Sequence, residues 1–119
     1  MNITLSIPDW VARELSRYPK YLPTHEDRMR MIIHFSKLNF EYGTGGPFAA
    51  GVFEQNTGKL ISVGVNIVVP SNCSSAHAEI MTLSIAQKKG DERNEIKNGN
   101  DVYHGCRFIS SFRTLFHNE

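Results

Sequence analysis

The apolar and polar positions divide the chain into short blocks. Ile3 to Ile7 alternates and reads as an extended lead-in. Pro8-Asp9 opens a first helix, with Trp10, Val11, Leu15 and Tyr18 on its apolar face and Pro19 and Pro23 ending it. Thr24 predicts the cap of a second helix, with Glu26 and Asp27 in the first turn, where the helix dipole favours acids. Met29, Ile32, Ile33, Phe35, Ser36 and Phe40 follow roughly helical spacing, and Gly43 through Pro47 break it. Phe48 to Gln55 predicts a strand, Asn56-Thr57-Gly58-Lys59 a turn and Leu60 to Val69 a second strand, together a hairpin. The first strand carries few bulky side chains, which lets another backbone or a flat ligand come close. A small polar loop, Pro70 to Ser75, leads into a helix from about Ser75 to Lys89. Ile80, Leu83 and Ala86 form its apolar face, and Gly90 is its stop signal. Asp91 to Asn100 is polar and reads as a loop; Tyr103 to Ser111 reads as a third strand, clearest from Cys106 to Ile109. This order predicts an α/β fold of about three helices and three strands. Strand, helix, strand predicts a crossover that leaves the third strand parallel to a neighbour, and the small sheet keeps an exposed edge.

Composition narrows the class without naming a chemistry. The 119 residues amount to one domain or part of one, enough to bury roughly two-thirds of the unfolded surface. A formal net charge of +1 gives no argument for a nucleic-acid stripe, a membrane patch or an acidic partner. Cys73 and Cys106 are the two cysteines; they form no disulfide framework and no Cys-x-x-Cys pair, so reduced thiols in a cytoplasmic protein are expected. The start, MNITLSIPDW, has no basic region followed by an apolar run, so no signal peptide is expected. No window approaches the roughly 18 apolar residues of a membrane span. There is no internal repeat and no low-complexity segment.

The chemistry concentrates at His77-Ala78-Glu79, at the start of the helix that follows the Cys/Ser loop. Free backbone N–H groups and the positive end of the dipole lie close to both side chains there. A histidine with a glutamate two residues on can place a metal ligand beside a proton carrier, and H-x-E is the first half of the zinc deaminase signature. Plainer readings stand beside this one. His77 could begin a helix without a metal, Glu79 could serve only the dipole, and Asn66 could be a strand-end turn residue. Cys73 reads as a small loop residue rather than a ligand, Cys106 as core, and Gly45-Gly46-Pro47 as a tight turn rather than a phosphate cradle.

Three pieces in the same order and spacing make the pattern specific. Gly45 through Ala50 (GGPFAA), Gly64 through Val68 (GVNIV) and Cys73 through Glu79 (CSSAHAE) resemble the cytidine deaminase-like superfamily, and within it the guanine deaminase and nucleoside deaminase branch. The resemblance covers about Arg28 to Ser111. It implies a domain organisation of a helical lead-in, residues 1–27, followed by the N-terminal part of a deaminase domain, residues 28–119. It implies an α/β/α sandwich on a mixed five-stranded sheet, present here in part. The implied reaction is zinc-dependent hydrolytic deamination of a purine or pyrimidine base or nucleoside, guanine-type favoured. His77 matches a zinc ligand, Glu79 the proton shuttle, Asn66 the asparagine that hydrogen-bonds the base, and Phe48 a pocket-lining aromatic. The partner is then a small molecule, with neither nucleic acid nor membrane involved, and the family commonly forms homodimers.

The sequence departs from the family after the third strand. The family there carries S-x-E-P-C-x-x-C, whose cysteines are the second and third zinc ligands. This chain reads Ser110-Ser111-Phe112-Arg113-Thr114-Leu115-Phe116-His117-Asn118-Glu119, with no such pair. Phe-Arg-Thr-Leu-Phe can be encoded TTC CGA ACC CTG TTT, which spells Ser-Glu-Pro-Cys one base later. The expectation is therefore a frameshift or a sequencing error in a longer deaminase frame. DNA whose next frame cannot spell Glu-Pro-Cys at that point would refute it. As written, the chain is expected to be cut off before the zinc motif and inactive by itself. The alternative is a non-catalytic remnant, or a module that pairs with a deaminase. A weaker third idea is a rearranged metal site drawing on Cys73, His77, His104, Cys106 or His117.

Overall fold

Pro8 lies directly before α1, Asp9–Leu15, where its missing N–H costs nothing. The structure is a computed structural model and describes residues 1–92 and 106–110. The expectations for residues 93–105 and 111–119, and for the Cys106 side chain, lie outside this description. α1 buries Trp10 and Val11. α2, His25–Glu41, starts where Thr24 Oγ1 accepts a hydrogen bond from the Asp27 N–H at 3.1 Å.

The buried face of α2 is Arg28, Met31, Ile32, Phe35, Ser36 and Asn39, spaced three and four apart. This corrects the sequence reading, because Ile33 and Phe40 are exposed. Three of its members, Arg28, Ser36 and Asn39, are polar yet internally satisfied. Arg28 Nε donates to the Leu22 carbonyl at 2.6 Å and Nη2 to the Pro23 carbonyl at 3.1 Å, with the guanidinium 5.8 Å from the Phe53 ring centre.

β1, Ala49–Glu54, and β2, Leu60–Val65, form the expected antiparallel hairpin. Its register runs from Ala49↔Val65 to Val52↔Ser62 and then shifts to Phe53↔Leu60, leaving Ile61 as the extra residue. At the turn the Glu54 carboxylate accepts from the Asn56 N–H at 3.1 Å, the Thr57 N–H at 2.7 Å and Thr57 Oγ1 at 2.8 Å. The Thr57 backbone and hydroxyl bonds, with a smaller part from Asn56, hold this carboxyl below the usual glutamate range.

β2 is shorter than its apolar run. Val68 and Val69 belong not to the strand but to a short helix, α3, Val68–Ser71. The cause is Asn66, whose side-chain Oδ1 accepts the Val68 N–H at 3.1 Å and turns the chain. α4, Ala78–Glu92, follows and runs through Gly90, so that glycine does not stop it. Its face also differs from the reading: Ala78, Met81, Thr82 and Ala86 are buried, whereas Ile80 is 48% exposed. The backbone of α4 lies directly on β2 at Gly64, where an added Cβ would sit 2.5 Å from the Thr82 nitrogen and 2.7 Å from the Ala78 carbonyl oxygen. So close an approach selects small side chains, and the hydroxyls of Ser62 and Thr82 pair inside it at 2.8 Å.

β3, Cys106–Ser110, pairs antiparallel with β1, giving the sheet order β2-β1-β3. The third strand is therefore not parallel to its neighbour. The crossover from β2 passes over β1, so β3 runs in the direction of β2 but one strand away. This is an α/β fold, with four helices among the described residues. One hydrophobic cluster joins Trp10, Val11 and Leu22 to Met31, Phe35, Phe53, Val65 and Met81.

Candidate active site

The chain between the end of β2 and the start of α4 is closed on itself by backbone hydrogen bonds. The Ile67 N–H donates to the Ala76 carbonyl at 3.0 Å, the Cys73 N–H to the Val68 carbonyl at 3.1 Å and the Ala76 N–H to the Cys73 carbonyl at 3.1 Å. The residue after Asn66 is thus bonded to the residue before His77. On the other side, the Asn66 N–H donates to the Phe48 carbonyl at 3.1 Å. Phe48, Asn66 and His77 are brought together at one end of the hairpin, although 29 positions separate the first from the last.

His77 sits one residue before α4 rather than in its first turn. Its N–H donates to the Ser75 carbonyl at 2.8 Å and its carbonyl accepts from the Met81 N–H at 3.0 Å. Glu79 is in the first turn, and both side chains are exposed. Phe48 is 37% exposed at the rim. Asn66 is half-buried, with Oδ1 engaged by Val68 and no hydrogen bond from Nδ2 among the described residues. Cys73 turns its sulfur toward Ser75 Oγ at 3.4 Å, and the hydrogen bonds from Ser75 hold the thiol below its ordinary pKa.

The residues that hold this end in place were not visible as site residues in the sequence. Asn39 of α2 is completely buried. Its Nδ2 donates to the Gly46 carbonyl at 2.8 Å and to the Asn66 carbonyl at 2.9 Å, while Oδ1 accepts from Thr44 Oγ1 at 2.6 Å. Trp10 Nε1 donates to the same threonine oxygen at 2.9 Å. Gly45 presses so close that an added Cβ would lie 1.9 Å from the Asn66 carbonyl oxygen. The only cue in the sequence was a carboxamide at helical spacing from Met31, Ile32 and Phe35.

A catalytic zinc is held by three protein ligands and a water. Among the described residues no three His, Cys, Asp or Glu side chains gather. His77 is offered without companions there, so the described residues do not by themselves fit the ion, and no step is derived through it.

By its likeness to solved structures the chain belongs to the cytidine deaminase-like superfamily. Its solved neighbours lie on the guanine deaminase branch. The chain is similar to guanine deaminase from Nitrosomonas europaea, with 41% identity and a TM-score of 0.68 over 76% of this chain and 50% of that one. It is similar to NE0047 in complex with 2,6-diaminopurine, with 42% identity and a TM-score of 0.64 over 76% of this chain and 46% of that one. A variant of NE0047 in complex with 8-azaguanine gives 36% identity and a TM-score of 0.74 over 93% of this chain and 59% of that one. The chain thus spans about half the length of these structures. No family model matches the chain, and no curated protein does.

Proposed function

We propose that this chain carries the base-recognition half of a purine deaminase site, and that the whole site hydrolyses the amino group of a guanine-type base. The observation that carries the reading is the meeting of Phe48, Asn66 and the start of α4, joined by the Asn66–Phe48 and Ile67–Ala76 backbone bonds. Neighbouring proteins bound to 2,6-diaminopurine and 8-azaguanine support a purine as the ligand.

The roles follow from the chemistry of each group. With Oδ1 of Asn66 occupied by Val68, its Nδ2 is a pre-oriented donor suited to a ring nitrogen or carbonyl on the base edge. Phe48 supplies an apolar face at the rim for the flat ring. Glu79 takes a proton from the attacking water and passes it to the ring nitrogen, then carries a second proton, from the newly added hydroxyl, to the departing amine. It stands in the first turn of α4. His77 would be one of the three protein ligands that a zinc ion needs in the whole site. The sequence carries no Cys-x-x-Cys pair to complete the ligand set, so residues 1–119 alone are expected to release no ammonia from guanine.

The test is titration of the 119-residue chain with 8-azaguanine, followed by calorimetry or nuclear magnetic resonance. Saturable binding is expected, weakened about tenfold by Asn66→Ala, equivalent to ~1.4 kcal/mol. Binding that is absent, or indifferent to Asn66, would sink the reading. A second reading, a non-catalytic module that pairs with a deaminase or with its own copy, is motivated by the missing Cys-x-x-Cys pair in the sequence. A monomer at all concentrations in sedimentation would argue against that alternative.

A further inference from the structure

We infer that Asn39 is the positioning residue of the base-recognition edge, holding Asn66 and the Phe48 turn in one fixed relation. The inference deepens the proposed function and rests on it for the roles of Asn66 and Phe48. Asn39 does not face the ligand; it acts through the two residues that do. A buried amide is costly unless its donors and acceptor are all matched, and here they are. The two Nδ2 hydrogens reach the Gly46 and Asn66 carbonyls, and Oδ1 receives the Thr44 hydroxyl.

The two acceptors belong to different segments. Gly46 is in the turn before β1, and its carbonyl also accepts the Phe48 N–H at 2.8 Å. Asn66 follows β2, and its N–H returns to the Phe48 carbonyl. One planar carboxamide with fixed geometry therefore sets the spacing between the aromatic rim and the amide donor. Aspartate has the same shape but would place oxygens against two carbonyl oxygens. Alanine would leave both carbonyls without a donor. Thr44 and Trp10 fix the plane of the amide from the other side, so the relay runs from α1 through α2 to the site. Nothing in this relay requires Asn39 for burial alone, since an apolar residue would fill the volume as well.

The experiment compares three variants of the 119-residue chain by amide hydrogen exchange and by 8-azaguanine titration. Asn39→Asp removes the donors, Thr44→Val removes the partner of Oδ1 together with the acceptor of Trp10 Nε1 but leaves both Nδ2 bonds, and Met31→Ala removes buried volume from the same helix. Expected for Asn39→Asp is faster exchange at the Asn66 and Val68 amides, about tenfold beyond any change at Val52 and Val63 within the hairpin. Thr44→Val should move the same amides in the same direction by less, which keeps the test valid if the aspartate variant does not fold. Met31→Ala should accelerate exchange evenly and leave azaguanine affinity unchanged. Even acceleration in Asn39→Asp and Thr44→Val, or none, would overturn the inference. If the unaltered chain does not bind azaguanine, the proposed function fails, while the exchange pattern still decides whether Asn39 positions this edge.

Discussion

Gly64 shows how much a single residue can decide. A methyl group there would meet the nitrogen of Thr82 and the carbonyl of Ala78, both backbone atoms of α4 that cannot swing away. Gly64→Ala must therefore lift the helix from the sheet. Overpacking of this kind costs ~1–3 kcal/mol, and chemical denaturation should read a loss in that range. A neutral result would mean that α4 sits farther from β2 than described. Because His77 and Glu79 lie at the near end of α4, the same change should also weaken azaguanine binding if the proposed site is correct. At this scale the sequence was least legible. Thr82, Ser62, Asn39 and Arg28 are buried polar groups, and an apolar count gives them no weight. Each is buried because a specific partner lies opposite it in space, which spacing along the chain does not encode. His77, Glu79 and Asn66 were picked out by a local motif, and the stretch from the end of β2 to the first turn of α4 on which they lie spans few residues.

At the scale of elements, the hairpin turn carries its own pH dependence. The Glu54 carboxyl accepts bonds from Thr57 and Asn56 and so titrates below its counterpart in the unfolded chain. Its stabilisation is complete above the unfolded value and is lost as pH falls through the lower, folded one. Exchange at the Asn56 and Thr57 amides should therefore quicken as pH drops below the ordinary carboxylate range, once intrinsic rates are corrected. Glu54→Gln should flatten that dependence. Equal slopes in both proteins would show that another group is responsible. Helix and strand identities followed from pattern, since Thr24, Pro8 and the Asn-Thr-Gly turn act through local geometry. The ends did not. Val68 and Val69 favour a strand by side chain, yet the Asn66 carboxamide turns the chain first. Gly90 failed to stop α4 because a glycine weakens a helix interior by only about 1 kcal/mol.

The described residues share one core, and the N-terminal helix is part of it. Trp10, Val11 and Leu22 pack in the same cluster as Phe35 and Phe53, and each such side chain contributes ~1.5–3 kcal/mol by burial. Against a total stability of ~5–15 kcal/mol, their joint removal is severe. A chain beginning at Thr24 should lose its cooperative thermal transition in circular dichroism. An unchanged transition would make the first segment a detachable lead-in. The sheet order was beyond the sequence for a related reason. Nothing in the Cys106–Ser110 run says that it pairs with β1 rather than β2, because that choice is made by α4 passing over β1.

The start of β2 carries a further consequence. The Leu22 N–H donates to the Gly58 carbonyl and the Leu60 N–H to the Lys20 carbonyl, while Lys89 Nζ donates to the carbonyl of Ile61 at 3.1 Å. Exposed strand edges recruit other chains by offering just such groups. With these already taken, a foreign strand finds little to pair with along this stretch. Fibre growth needs two complementary open sides on every subunit, and blunting one of them lowers the valence of the sheet toward one. Such a unit can accept a neighbour, but it is a poor link in a polymer.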